Sequence, residues 1–180
     1  NKPFKIRPED ILASCHSHES TRGFQTVAID FGTERGRLIS ELLKIVKDPD
    51  SLNLDQCAAI YYLGEMRASE AADVLATKIT LKLDYKHLNI DGLLVMPVDF
   101  PTEALVKIGT PSIPPLIRNL VESDDAQVRK LSLQVLYRID GDKDITQLRL
   151  QKALKAETDS TKQARLQAAL KALAAMSLAK

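Results

Sequence analysis

Apolar residues in the segment 124–154 recur at the spacing of two amphipathic helices joined by a short turn at 140–142. The first predicted helix carries one apolar stripe, formed by Val128, Leu131, Ser132, Val135, Leu136 and Ile139. The second carries a matching stripe that starts with Ile145, Leu148 and Leu154. Asp124 and Asp125 precede the first helix, where carboxylates accept hydrogen bonds from free N–H groups. A lone hairpin cannot bury both stripes, so the pattern predicts similar hairpins beside it.

The same two-helix pattern recurs twice earlier in the chain. The copy ALVKIGTPSIPPLIRNL has its apolar positions at Leu105, Ile108, Ile113, Leu116 and Leu120. The copy AAIYYLGEMRASEAADVLATKI has them at Ala59, Leu63, Met66, Ala72, Leu75 and Ile79. The spacing between these copies leaves an insertion near 80–100. A two-helix unit repeated in this way predicts an α-solenoid.

The remaining segments extend this pattern toward both ends. Residues 37–47 predict an amphipathic helix with Leu38, Ile39, Leu42, Leu43 and Val46 inward. The run 24–31 is ambiguous between a helix and a strand, and a solenoid favours the helix. Pro101 suits a first helical turn, so the helix that begins there is expected to be short. Residues 160–178 predict a final helix with Leu166, Leu170, Leu173 and Met176 on one side and Thr158 or Asp159 as its cap.

These motifs resemble HEAT repeats, particularly the short bacterial form known from phycobilin lyases. That family reads D-x-x-x-V-R-x-x-A-x-x-x-L, which is similar to Asp124, Val128, Arg129, Ser132 and Leu136. Its I-G-D-P turn is similar to residues 108–111 (IGTP). Asp55 and Pro101 depart from the pattern. The resemblance implies an all-α, right-handed α-solenoid of about four hairpins. The expected divisions are an N-terminal cap region (1–31), repeats (32–157) and a C-terminal capping helix (158–180).

The amino-acid composition limits which kinds of molecule the chain is expected to bind. The 180 residues include 25 basic and 24 acidic side chains, for a net charge of +1, and no Trp. This balance argues against nucleic acid as the partner, because phosphate binding requires a basic surface. Nothing approaches the roughly 20 consecutive apolar residues that span a bilayer. The chain starts at Asn1, which is compatible with a removed leader, and the sequence leaves the compartment unknown.

One segment has metal-ligand chemistry. Cys15, His16 and His18 lie within four residues, but no second pair of ligands has matching spacing, so a solvated connection is favoured over a zinc site. Cys57 is expected to be a buried thiol. Within the insertion, residues 82–100 break the repeat period. This segment is expected to be an elongated loop that covers a gap between stacked helices. The alternative is a loop that projects over one rim and uses Tyr85, His87 and Asp91 for contacts with a partner. No cofactor is expected.

The resemblance also implies where a partner would bind, since second helices line the concave face of such solenoids. The predicted contact residues are Arg37, Lys44, Lys78, Arg118, Asn119, Arg149 and Lys152. No Gly-rich phosphate loop, G-x-S-x-G or H-E-x-x-H motif is present. We therefore expect a non-catalytic scaffold that binds a protein, as a monomer or weak homodimer. The alternatives are a bilin lyase-like enzyme or enzyme subunit, and a nucleic-acid-binding HEAT-like protein.

Overall fold

The computed structural model describes residues 34–83 and 99–176, and all regular structure in these two ranges is helical. The α-helices there are α1 (Arg35–Lys47), α2 (Asn53–Glu65), α3 (Ala72–Thr77), α4 (Phe100–Ile108), α5 (Ile113–Glu122), α6 (Ala126–Asp140), α7 (Lys143–Ala156) and α8 (Ser160–Ala175). Single 3₁₀ turns, Ser69–Ala71 and Thr110–Ser112, lead into α3 and α5. The predicted all-α class is confirmed for these residues. The N-terminal predictions (1–31, including Cys15, His16 and His18) and residues 84–98 of the insertion (including Tyr85, His87 and Asp91) lie outside them.

Local signals set the bounds of the central helices. Pro101 lies in the first turn of α4, and Gly109 ends that helix with a φ of +77°, which favours glycine. The predicted short helix is confirmed. Asp125 caps α6, with its Oδ1 accepting from the backbone N–H of Gln127 at 2.7 Å. Gly141, with a φ of +66°, follows α6, and Asp142 then caps α7.

The helices pack in two rows through most of the described chain. In one row α2 packs against α4, and α4 packs against α6. In the other row α1 contacts α3, and α3 packs against α5. The rows are joined where α1 meets α2, α3 meets α4, and α5 meets α6. The C-terminal hairpin departs from this order, because α8 packs against α5 while α7 packs against α6 and α8.

The buried apolar residues form two clusters. The first is built by α1 to α5 together with Leu131 and Val135 of α6. The second is built by α5 to α8 and includes Leu136 and Tyr137 of α6. Helix α6 therefore has apolar residues in both clusters. The apolar positions named for the two earlier repeat copies are buried, as predicted.

The predicted apolar stripe of α7 is wrong at Ile145 and Leu148 but correct at Leu154, which packs against the second cluster. Ile145 and Leu148 are 48% and 68% exposed. The helix instead turns Thr146 and Leu150 inward, both with no exposed surface. The Thr146 hydroxyl donates to the Asp140 carboxylate at 3.0 Å, which satisfies a polar group at the end of α6 and sets the rotation of α7.

The final helix is close to its prediction. Asp159 caps α8, accepting from the backbone N–H of Lys162 at 2.9 Å. Leu166 and Leu173 are buried in the second cluster, and Leu170 and Met176 pack against it. The described helix ends at Ala175, slightly before the predicted end.

Candidate functional site

The predicted contact residues on α1 are exposed and paired with neighbouring carboxylates. The Arg37 guanidinium lies 3.5 Å from the Glu34 carboxylate, and the Lys44 ammonium lies 2.8 Å from that of Glu41. Both cations keep about 70% of their side-chain surface in water. Helix α1 thus presents charges of both signs, because its opposite side is committed to the first cluster.

A second pair connects α3 and α5. Arg118 on α5 donates to the Asp73 carboxylate on α3 at 3.1 Å, and more than half of each side chain is exposed. Lys78 follows α3 directly and is half-buried. The contacts among α1, α3 and α5 therefore bring Arg37, Lys44, Lys78 and Arg118 onto neighbouring helices.

Asn119 has a structural role beside Arg118. Its amide donates to the Ala76 carbonyl at 2.9 Å and to the Ser132 hydroxyl at 3.2 Å. A single side chain therefore ties α3, α5 and α6 together. Ser132 is fully buried, so this bond satisfies a polar group that would otherwise cost stability. Both amide hydrogens are engaged, so a partner that contacts Asn119 has only its carbonyl oxygen to use.

The remaining predicted contact residues, Arg149 and Lys152, lie on α7. Arg149 makes a two-point contact with Asp140, with nitrogen–oxygen distances of 2.9 and 3.3 Å. The Asp140 side chain is only 3% exposed, so the guanidinium neutralises a carboxylate that is almost removed from water. Lys152 is exposed. Because α8 packs against α5 and α7 lies against α6 and α8, these two residues do not continue the row formed by α1, α3 and α5.

The other helical row carries an ionic network that the sequence analysis missed. Arg138 on α6 donates through two nitrogens to the two oxygens of Glu103 on α4, at 2.6 and 2.9 Å. One turn further along α4, Lys107 pairs with Glu65 on α2. The hydrogen bonds from Arg138 hold the pKa of Glu103 below its usual range, and Glu103 raises the pKa of Arg138.

Tyr61 adjoins this network. The Lys107 ammonium lies 5.3 Å from the centre of its ring, within the range of a cation–π contact. Burial is the main reason that the pKa of Tyr61 is raised, and the Glu65 carboxylate adds to the effect. Tyr62 is buried and meets Tyr61 edge-on, with 5.5 Å between the ring centres, so only one of these adjacent tyrosines packs fully inward.

Few side chains in the described ranges have reactive chemistry. Cys57 is fully buried, as predicted, and desolvation raises the pKa of its thiol to about 12. The thiol therefore stays protonated at neutral pH and is a poor nucleophile. Within 34–83 and 99–176, no three His, Cys, Asp or Glu side chains are grouped so as to hold a metal ion. No helix of these ranges is both long and apolar enough to cross a bilayer.

Comparisons with models of protein families, with curated proteins and with solved structures find no match. The resemblance to HEAT repeats therefore rests on the sequence motifs and their spacing alone. The geometry on which a function can be argued is that of two exposed surfaces. One is the row α1, α3 and α5 with its paired charges, and the other is the outward face of α7 with Ile145 and Leu148.

Proposed function

We propose that the protein is a non-catalytic binding module whose helices form a short α-solenoid, closed at its C-terminal end by the α7–α8 hairpin. The surface formed by α1, α3 and α5 binds a protein partner. We call this the α1–α3–α5 surface, and it carries Arg37, Lys44, Lys78 and Arg118. The supporting observation is the solvent-exposed ion pair between Arg118 and Asp73, which joins α3 and α5 on this surface.

The pairing of basic with acidic side chains on this surface favours a protein over a nucleic acid as the binding partner. Arg37, Lys44 and Arg118 each lie beside a carboxylate, so the local field is close to neutral. A polyanion gains affinity from unneutralised cations and would be repelled by the adjacent acidic groups. A protein surface of mixed charge instead exchanges these exposed pairs for intermolecular ones at little cost, because each exposed pair contributes only about 0.2–1 kcal/mol.

The rigidity of the surface supports the same function. The Asn119 amide links α3, α5 and α6, and the Ser112 hydroxyl donates to the Leu105 carbonyl at 2.9 Å between α4 and α5. Helices held in this way lose little conformational freedom when a partner binds. Preorganisation of this kind raises affinity without additional contacts.

Photo-crosslinking in lysate of the source cells tests the proposal. A photoreactive amino acid replaces Ser40 on α1, which is exposed on the proposed surface, and adducts are identified by mass spectrometry. We expect one defined protein in the adducts. The double variant Arg37→Glu, Arg118→Glu should lower its affinity by about tenfold or more, the change produced by losing an anchor worth about 1.4 kcal/mol.

The matched control is Lys130→Glu, which reverses an exposed charge on α6 outside this surface. It should leave the affinity unchanged, and thermal unfolding should show that both variants remain folded. Equal binding by the double variant and the native protein would overturn the proposal. Recovery of nucleic acid, with an affinity that falls steeply as salt is raised, would favour the nucleic-acid-binding alternative instead.

A further inference from the structure

Helix α7 leaves a face of mixed apolar and charged residues uncovered. The helix turns Thr146, Leu150 and Leu154 toward α6 and α8. On the opposite side Leu148 is 68% exposed and Ile145 is 48% exposed. Among the described residues only these two and Leu52 are large, apolar and exposed to this degree. Burying these adjacent apolar side chains against another chain would remove apolar surface from water, which favours association.

Charges of opposite sign flank Leu148 on this face. Asp144 lies one helical turn before Leu148, and Lys152 lies one turn after it. Both side chains are exposed, and neither forms an ion pair with another described residue. One end of the face is therefore negative and the other positive, with the apolar side chains between them.

We infer that α7 is a homodimer contact, in which two copies of the chain pack antiparallel through this face about a two-fold axis at Leu148. Antiparallel packing around that axis places residues equally far before and after Leu148 opposite each other. Asp144 of each copy then faces Lys152 of the other, and the two Leu148 side chains meet at the centre. Self-complementarity of this kind is what an isologous dimer requires.

The contact is expected to be weak. One helix pair buries less surface than the roughly 1,200 Å² at which stable specific interfaces begin. We therefore expect a dissociation constant on the order of 100 µM. The α7 contact is independent of the proposed function, because it uses none of the residues of the α1–α3–α5 surface.

Sedimentation equilibrium of the purified full chain, up to about 1 mM, tests the inference. The native chain should dimerise, and Leu148→Glu should raise the dissociation constant at least about tenfold by placing two carboxylates at the axis. Leu52→Glu is the matched control, because Leu52 is 48% exposed but precedes α2. It should dimerise like the native chain. Circular dichroism verifies that each variant is folded.

Charge exchange tests the antiparallel register. Asp144→Lys and Lys152→Asp each place like charges opposite one another and should each weaken the dimer several-fold. The double variant Asp144→Lys, Lys152→Asp restores opposite charges and should return the dissociation constant to within about threefold of the native value. A monomer at about 1 mM would leave the face to a different protein and overturn the inference. Dimerisation unaffected by Leu148→Glu, or not restored in the double variant, would also overturn it.

Discussion

Gly64 lies where α2 approaches α4 closely. A Cβ added to Gly64 would lie 2.7 Å from the Cα of Ala104 and 2.8 Å from its Cβ. Real Cβ atoms do not come this near to backbone atoms, so a side chain at position 64 would push the two helices apart. The absence of a side chain at position 64 therefore permits the close packing of α2 against α4 at Ala104.

We expect Gly64→Ala to destabilise the protein. Overpacking lowers the free energy of unfolding by about 1–3 kcal/mol. The higher helix propensity of alanine offsets up to about 1 kcal/mol of this loss. The net loss should be about 1–2 kcal/mol of unfolding free energy, measured by chemical denaturation. Gly36→Ala is the matched control, since Gly36 is in α1 and its added Cβ meets nothing within 4 Å. Gly36→Ala should be neutral or stabilising, and an equal loss in both variants would contradict this account.

At the level of single elements, Glu103 and Arg138 join α4 to α6 on the outside of the molecule. No local sequence signal reveals this pair, because the residues belong to different repeat copies and are individually ordinary helix-surface charges. Helical periodicity predicts which side of an element faces inward. It does not predict which outward charges meet across neighbouring helices.

This pair should make stability depend on pH. Hydrogen bonding to Arg138 lowers the pKa of Glu103, so the folded state binds fewer protons than the unfolded state. The stabilisation is present above the unfolded pKa of about 4.3 and is lost as pH falls through the lower folded pKa. Glu103→Gln should therefore cost about 0.5–1 kcal/mol at pH 7, and this cost should decrease as the pH falls through the folded pKa of Glu103.

Thermal unfolding at a series of pH values measures the effect of Glu103→Gln. Glu122→Gln is the control, because Glu122 is exposed on α5 and forms no ion pair with a described residue. The control should follow the native pH profile. A Glu103→Gln deficit that stays constant from pH 7 to pH 3 would show that the side chain stabilises by packing and not by charge.

The helix bounds show where sequence reasoning succeeds. The caps Asp125 and Asp159 and the first-turn Pro101 are local devices, and each leads to a helix near its predicted place. The apolar residues of α7 allow two stripes, one through Ile145 and Leu148 and one through Leu150 and Leu154. The prediction combined Leu154 with the first stripe and was wrong at Ile145 and Leu148. In the structure Leu150 is fully buried and Thr146 donates to Asp140 at the end of α6, and these contacts between helices are not visible in the periodicity of α7.

For the whole molecule, the repeated pattern predicts the succession of helices up to α6, but it does not predict how the last two helices pack. A regular repeat predicts that α7 would continue the row of α3 and α5, and α8 packs against α5 instead. As a result, the predicted contact residues divide between the α1–α3–α5 surface and α7.

Two hydrophobic clusters imply that a core defect should act locally. Leu166→Ala creates a cavity in the second cluster, where Leu166 is fully buried, and should cost about 2–5 kcal/mol for the helices there. Hydrogen exchange followed by mass spectrometry should show faster exchange in α7 and α8, with α1 and α2 changed much less. Equal acceleration in every helix would show that the chain unfolds as one cooperative unit.

Because α6 contributes side chains to both hydrophobic clusters, it restricts which substitutions the protein tolerates. Six of the seven residues from Leu131 to Tyr137 are buried, because the helix supplies side chains to clusters on two sides. Most surface helices have a solvent side on which substitutions accumulate freely, whereas this stretch has almost none. In a library of random variants selected for folding, codons 131–137 should therefore be strongly depleted of polar and charged replacements. Neutral substitutions would then accumulate mainly on the solvent-exposed faces of the other helices.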